Sequence, residues 1–318
     1  MKRTLARPCM LAVVAWLLTL CCSGFPAVAD EVEIDGLAAT FLMPEGPKPA
    51  AAAVIIAGSG PTDRNGNSHL GLKTDAYKLL AEALLGRGIA TVRFDKRGVG
   101  GSAKSARPEP EVVFGQYVDD VATVARWLQA RTGGKSVFLI GHSEGGTLAL
   151  MAAKQAPAAG VVLLTAPGRT LATILREQYS RPGTFRDIAS EAMSIVAALE
   201  RGEAVAEVDP RLATAFRPSV QPYLRSSISL DPAVLARSVR APLLIVGGGR
   251  DFQIGKSDFD ALSTARPDAA AYWDPDMAHT LKMSRADPQS VQRAYTDPSQ
   301  PLAPSLSDRA AEFILAPK

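Results

Sequence analysis

Ser136-Val137-Phe138-Leu139-Ile140 followed by Gly141-His142-Ser143-Glu144-Gly145 is the stretch on which the reading of this chain turns. The first five residues form a short apolar run that predicts a buried strand. Leu148, Met151, Ala152 and Gln155 recur beyond it at helical spacing. Ser143 therefore sits at a strand-to-helix turn. The backbone there is strained, and the hydroxyl is lifted clear of the sheet edge. Gly141 and Gly145 flank it because strand and helix approach too closely for side chains. The start of the following helix favours developing negative charge. A G-x-S-x-G string alone carries little weight; this context is what makes Ser143 a candidate nucleophile.

The same alternation extends outward in both directions. A hairpin is predicted at Glu31 to Ile34 and Leu37 to Met43, turning at Asp35-Gly36, with strands at 52–56, 89–94 and 161–164. Helical faces fall between them, at Ala76, Leu80, Ala83 and Leu84, and at Val118, Val121, Ala122, Ala125 and Leu128. Strands apolar on both faces alternating with helices mean a mostly parallel sheet covered on both sides, an α/β fold. From Arg169 to Arg240 the rhythm stops. Ile188, Ala192, Ile195, Val196 and Leu199 mark a helix, and Pro210, Pro218, Pro222 and Pro232 divide the remainder. Strands resume at Pro242 to Val246 and Ala270 to Trp273, and a helix through Leu306, Ala310, Phe313 and Ile314 closes the chain. The expected organisation is a core of 30–168 and 241–318 interrupted by a helical cap at 169–240, over one end of the sheet. Leu175, Ile188, Ile195, Phe216 and Leu224 suggest an apolar ceiling, although stripes of this kind are more often packing.

The chain has 318 residues, 47% hydrophobic, 21% charged and 6% aromatic, which excludes a disordered or repetitive protein. Lys2, Arg3 and Arg7 precede an apolar run from Met10 to Leu20, and Ala27-Val28-Ala29 supplies small residues for cleavage. Residues 1–29 thus read as a secretory signal, placing the mature protein in the periplasm or the medium, with Asp30 first and no stable membrane anchor. Removing those three basic residues takes Lys+Arg from 35 to 32, equal to the 32 Asp+Glu, so the basic balance gives no reason to expect nucleic acid. All three cysteines, Cys9, Cys21 and Cys22, fall in the removed segment, which excludes a catalytic thiol and disulfides.

A serine hydroxyl needs a base within hydrogen-bond reach, and the chain has only three histidines. His142 should point away from Ser143 into the packing, and His69 lies early in a Gly/Asn-rich loop. His279 follows the last predicted strand and is the candidate base. Asp251, just past the Pro242 to Val246 strand, is the preferred carboxylate to orient it, with Asp258, Asp274 and Asp276 as nearby alternatives. For the oxyanion hole the expected donors are the N–H groups of Glu144 and Ser59, with Gly60 in reserve. Other signals fail. Gly133-Gly134-Lys135-Ser136 precedes a strand, the Asp63–Asn67 run lacks the calcium-loop Gly and Glu, and Gly247-Gly248-Gly249 lacks a spaced third glycine. No cofactor and no metal is expected. Asp63, Arg64, Asp95 and Arg97 are expected to form a buried ion-pair network behind the oxyanion loop.

Gly58-Ser59-Gly60-Pro61-Thr62-Asp63-Arg64-Asn65-Gly66, Arg93-Phe94-Asp95-Lys96-Arg97-Gly98-Val99-Gly100, Gly141-His142-Ser143-Glu144-Gly145-Gly146, Asp251 and His279 together resemble the α/β-hydrolase fold. More narrowly, they resemble bacterial carboxylesterases related to serine aminopeptidase S33 and monoglyceride lipase-like hydrolases. The likeness covers nearly all of the mature chain except the cap. It implies a Ser143–His279–Asp251 triad beneath a helical cap, acting on a small-molecule ester of short to medium acyl chain. Ala57 departs from the pattern, standing where many relatives have His before Gly. Aminopeptidase, amidase or thioesterase activity on the same triad, and an inactive binding member of the fold, are the alternatives.

Overall fold

The computed structural model describes residues 27–46, 48–156, 158–181 and 186–317. Residues 1–26, most of the expected export segment, lie outside the described residues. Among these there are eight strands: β1 (Ala27–Ile34), β2 (Leu37–Pro44), β3 (Ala51–Ile56), β4 (Ile89–Phe94), β5 (Val137–His142), β6 (Gly160–Leu164), β7 (Leu243–Gly248) and β8 (Ala270–Asp274). They form one sheet in the order β1-β2-β4-β3-β5-β6-β7-β8. The β1–β2 hairpin pairs antiparallel, β2 joins β4 antiparallel, and every pairing from β4 to β8 is parallel. The hairpin starts earlier than the sequence suggested, because Ala27, Val28 and Ala29 already pair with Pro44, Met43 and Leu42.

The helices are α1 (Ala76–Leu85), α2 (Phe114–Arg131), α3 (Glu144–Ala152), α4 (Leu171–Tyr179), α5 (Arg186–Glu200), α6 (Ala213–Phe216), α7 (Gln221–Ser227), α8 (Pro232–Ser238), α9 (Lys256–Ala265), α10 (Pro288–Thr296) and α11 (Leu306–Leu315). Strand β3 shows why both faces are covered. Ala52, Val54 and Ile56 point into a core shared with Val118, Val121 and Leu128 of α2 and Leu148 of α3. Ala51, Ala53 and Ile55 point the other way, onto Leu80 and Leu84 of α1 and Ala310 and Ile314 of α11. The period of two in a strand makes an uninterrupted apolar run necessary once helices lie on both sides.

Between β6 and β7 the described residues hold helices α4 to α8 and no strand. Ala172, Ile188, Ile195, Leu199, Phe216, Leu224 and Ile228, from α4 to α7, close a separate small core. Of the five residues expected to form an apolar ceiling, Ile188, Ile195, Phe216 and Leu224 are spent inside this core, and only Leu175 faces the cavity described below. Helix α8 behaves differently: its Ala236 belongs to the core on the sheet. No helix among the described residues is long and apolar enough to cross a membrane.

Candidate active site

Parallel strands deliver their following loops to one edge of the sheet, and there the ends of β3, β4, β5, β7 and β8 converge. The turn after β5 holds Ser143 at φ 53°, ψ −127°, a region that L side chains rarely adopt. Two contacts lock it: Ser143 N–H donates to Leu164 O at 2.9 Å, and Gly146 N–H to Ser143 O at 2.8 Å. The glycines around it are dictated by crowding. A Cβ on Gly141 would lie 2.2 Å from Gly145 O, and one on Gly145 would lie 2.5 Å from Ile56 O. Both obstacles are backbone and cannot step aside. Glu144 is the first residue of α3, so its N–H has no intrahelical acceptor.

His279 follows β8, and its Nδ1 lies 2.7 Å from Asp251 Oδ2. The other oxygen of Asp251 accepts from the Gln253 N–H at 2.7 Å and the Ile254 N–H at 2.9 Å, so the carboxylate is held on three sides. The rival carboxylates are engaged elsewhere. Asp258 pairs with Arg169 and takes the Gly168 N–H, Asp274 accepts from Asp276 N–H, and Asp276 pairs with Arg250. The segment carrying Gln253 is tied to the end of α4, where Gln178 Nε2 donates to Gln253 O at 3.3 Å and Arg181 Nη1 to Phe252 O at 2.5 Å.

His142 is the residue that joins these parts. Tyr77 O–H, in α1, accepts from the Gly58 N–H at 3.1 Å and so has its own proton free for His142 Nδ1, 2.7 Å away. Nδ1 is then the acceptor, and Nε2 carries the proton it donates to His279 O at 2.7 Å. The two imidazole rings lie 4.8 Å apart, centroid to centroid. One neutral side chain thereby links the loop after β3, the turn after β5 and the loop after β8. No hydrogen bond joins Ser143 Oγ to His279 among the described residues. Ser143 opens instead onto a cavity of about 220 Å³, shared with Ser59, Glu144, Leu175, Leu230 and Ile254. Two broader grooves, of about 500 and 510 Å³, do not include Ser143. Gly60 is not among the residues lining the 220 Å³ cavity, and His69 is exposed in the first of the broader grooves.

Complete burial, with the His279 charge as a smaller contribution, lowers the pKa of His142 to about 3. The unfolded chain takes up a proton near pH 6.5 that the folded chain refuses. Stability from this group is therefore fully present above pH 6.5 and is lost as the pH falls toward 3, by about 1.4 kcal/mol per pH unit. Urea unfolding of the wild type and of His142→Gln between about pH 5.5 and 4 should give slopes that differ by nearly that amount; parallel slopes would mean that His142 is already charged in the fold.

The expected network of four charged residues divides into separate pieces. Asp95 accepts the Arg64 N–H at 2.7 Å and the Gly101 N–H at 2.8 Å and lies 3.5 Å from the Arg64 guanidinium. Arg97 turns away to Asp120 and Asp35. Asp63 accepts backbone N–H groups of Asn65 and Asn67, a local turn and not an ion pair. Sequence reasoning gave no role to Lys96 or Tyr77. Lys96 stands between Asp95 and Arg97, both expected in the buried ion-pair network, and its own type and spacing mark it for nothing. Tyr77 sits beside the apolar stripe of α1 and reads as packing.

Comparison with known proteins agrees with this architecture. The family described as serine aminopeptidase S33 matches residues 70–275, nearly two thirds of the chain. Esterase EstD of Thermotoga maritima is 27% identical over 230 residues, which is 72% of this chain and 53% of EstD. The matched stretch thus spans about half the length of that curated relative. Among solved structures, Est1E from Butyrivibrio proteoclasticus, with ferulic acid bound, superposes with a TM-score of 0.58 at 18% identity, covering 90% of this chain and 96% of the other. The Pyrococcus furiosus esterase Pf2001 gives 0.54 at 14% identity, covering 95% and 94%. At such identities the likeness establishes a shared fold, that of the α/β-hydrolases.

Proposed function

Because this chain belongs to the serine aminopeptidase S33 family, we propose that it is an exported carboxylesterase using Ser143 as nucleophile, His279 as base and Asp251 to orient the base. The observation that carries the reading is the Asp251–His279 pair at 2.7 Å, standing at the same sheet edge as a serine held in a strained turn above an open cavity. With Nδ1 engaged by Asp251, Nε2 is the ring nitrogen left to take a proton. Serine–base contacts commonly tighten only once substrate is present.

In the proposed reaction, Ser143 Oγ attacks the ester carbonyl carbon as its proton passes to His279 Nε2. The carbonyl oxygen becomes an anion held by the N–H groups of Glu144 and Ser59. Collapse expels the alcohol, which leaves with the proton from His279. Water, deprotonated by the same nitrogen, then attacks the acyl-enzyme and releases the acid and free Ser143. Leu171, Ile174, Leu175, Leu230 and Ile254 give the cavity an apolar wall, which suits an acyl chain of short to medium length.

Ester hydrolysis is favoured over peptide hydrolysis by the placement of the cap carboxylates. A peptidase of this type needs an acidic group to hold the substrate amine. Glu177 pairs with Arg169, Glu203 with Arg201, and Glu191 accepts the Asp209 N–H, and none lines the cavity; Glu144 does line it, but its Oε1 is buried, 3.9 Å from Lys96 Nζ. Thioesters use the same steps and belong to the same reading. Export is also part of the proposal. Cleavage after Ala29 would leave β1 with the five pairs from Asp30–Phe41 to Ile34–Leu37.

The test uses the full chain expressed with its N-terminal segment. Protein recovered outside the cytoplasm should begin at Asp30, carry a fluorophosphonate adduct on Ser143, and hydrolyse short nitrophenyl esters faster than aminoacyl anilides by roughly tenfold or more. Faster anilide cleavage would make it a peptidase. An unlabelled Ser143 with no turnover of either substrate would make it a binding protein.

A further inference from the structure

We propose that Lys96 is the positioning residue of the oxyanion hole: its ammonium, held behind the Gly58–Ser59 peptide group, turns the Ser59 N–H toward the reacting oxygen. This inference rests on the reading of the site given above, and it concerns a side chain that makes no hydrogen bond with Ser143 or His279 among the described residues.

The geometry begins with the peptide bond. A trans peptide group is rigid and flat, with the C=O of one residue and the N–H of the next pointing opposite ways. Whatever fixes Gly58 O therefore fixes the Ser59 N–H. Lys96 Nζ donates to Gly58 O at 2.6 Å. The preceding peptide group is fixed as well, through the Gly58 N–H on Tyr77. Gly58 cannot be replaced freely by a larger residue, since a Cβ there would lie 3.1 Å from Ser143 Cβ. The loop after β3 is thus pressed against the nucleophile and clamped at both polar ends of one residue.

The environment of Lys96 argues for a role beyond packing. Its side chain is 5% exposed, beside the Tyr117 ring at 5.6 Å and 3.9 Å from Glu144 Oε1, too far for a hydrogen bond. That oxygen has no hydrogen-bond partner among the described residues. An ammonium is costly to bury, and burial lowers its pKa from the ordinary lysine value while the Glu144 carboxylate opposes the shift. A methionine would fill the same space without that cost. What the charge adds is a strong donor on Gly58 O, which polarises the amide and makes its N–H a better donor in turn. The same ammonium faces the side chain of Glu144, whose backbone supplies the other oxyanion donor. The cation therefore lies behind the Ser59 N–H, on the far side of its peptide group from the reacting oxygen.

The test compares Lys96→Met with wild type in two ways. Its kcat for nitrophenyl esters should fall by about 10²-fold with KM changed less than about threefold. A trifluoromethyl ketone accepts Ser143 Oγ at its carbonyl carbon and leaves its oxygen as an anion in the hole, so its inhibition should weaken by the same factor. Binding of the corresponding alcohol, which forms no oxyanion, should not change. Lys96→Gln, with one neutral N–H donor, should lie between, and it carries the same comparison if Lys96→Met does not fold. Wild-type kcat and ketone affinity in the variants would overturn the inference, and so would equal losses for ketone and alcohol. Failure of the wild type itself to label at Ser143 would instead overturn the esterase reading.

Discussion

Ser143→Ala is expected to lower kcat for ester hydrolysis by roughly 10⁶-fold and to leave the melting temperature where it is. A loss of that size corresponds to about 8 kcal/mol of barrier, which only removal of the bond-forming atom supplies. The stability half follows from the geometry. Alanine keeps the Cβ that serine already places at φ 53°, so the strain of the turn is unchanged. The backbone bonds to Leu164 O and from Gly146 N–H do not involve the side chain. Because Ser143 Oγ has no hydrogen-bond partner among the described residues, its removal leaves no buried group unpaired. Turnover of nitrophenyl esters and a thermal melt on the same preparation check both halves. Turnover within about tenfold of wild type would place the nucleophile elsewhere.

The strained turn, the apolar strands and the place of His279 beyond the last strand were legible because each leaves a local mark. β3, β5 and β7 are buried throughout, and a strand buried on both faces must be written as a continuous apolar run. His279 emerged by elimination among three histidines, helped by its position beyond a strand. Asp251 was not separable in the same way. Asp258, Asp274 and Asp276 lie equally near in sequence, and only the backbone N–H groups of Gln253 and Ile254 show which carboxylate is turned toward the ring. Helix α9, with only Leu262 and Ala265 as buried apolar residues, and helix α10, with only Ala294, write too thin an apolar stripe to be read.

His142 shows a different limit. The sequence placed its side chain in the packing, which is where it lies, and the structure adds what it does there. Burial forces the neutral form, and a neutral imidazole has one donor and one acceptor at fixed angles. Those two directions meet Tyr77 and His279 O, on α1 and the loop after β8. The linkage depends on residues 65 and 137 positions away, and no local pattern could carry it. Lys96 is hidden for the same reason: whether a lysine after a strand points to solvent or under a loop depends on the neighbouring strand.

Asp251→Asn should lower kcat by about 10⁴-fold, with KM little changed, through a change of tautomer. Asp251 Oδ1 accepts two backbone N–H groups, from Gln253 and Ile254, at 2.7 and 2.9 Å. An asparagine in this place must put its single oxygen there, because its NH₂ would otherwise face two donors. The NH₂ then points at His279 Nδ1, 2.7 Å from the present Oδ2. Facing a donor, Nδ1 becomes the acceptor and the ring proton moves to Nε2. Nε2 is the nitrogen that must receive the proton of Ser143, so the base is blocked although every heavy atom keeps its position. Asp251→Ala lacks that wrong donor but leaves both backbone N–H groups unpaired, and should lose stability as well, by about 1–3 kcal/mol. The pair of variants separates the two roles of the carboxylate: kcat falls in both, while the urea midpoint falls only in the alanine variant. A wild-type kcat in Asp251→Asn would show that the ring takes its orientation from elsewhere, and the backbone bond from His142 Nε2 to His279 O would be the remaining means of holding that loop.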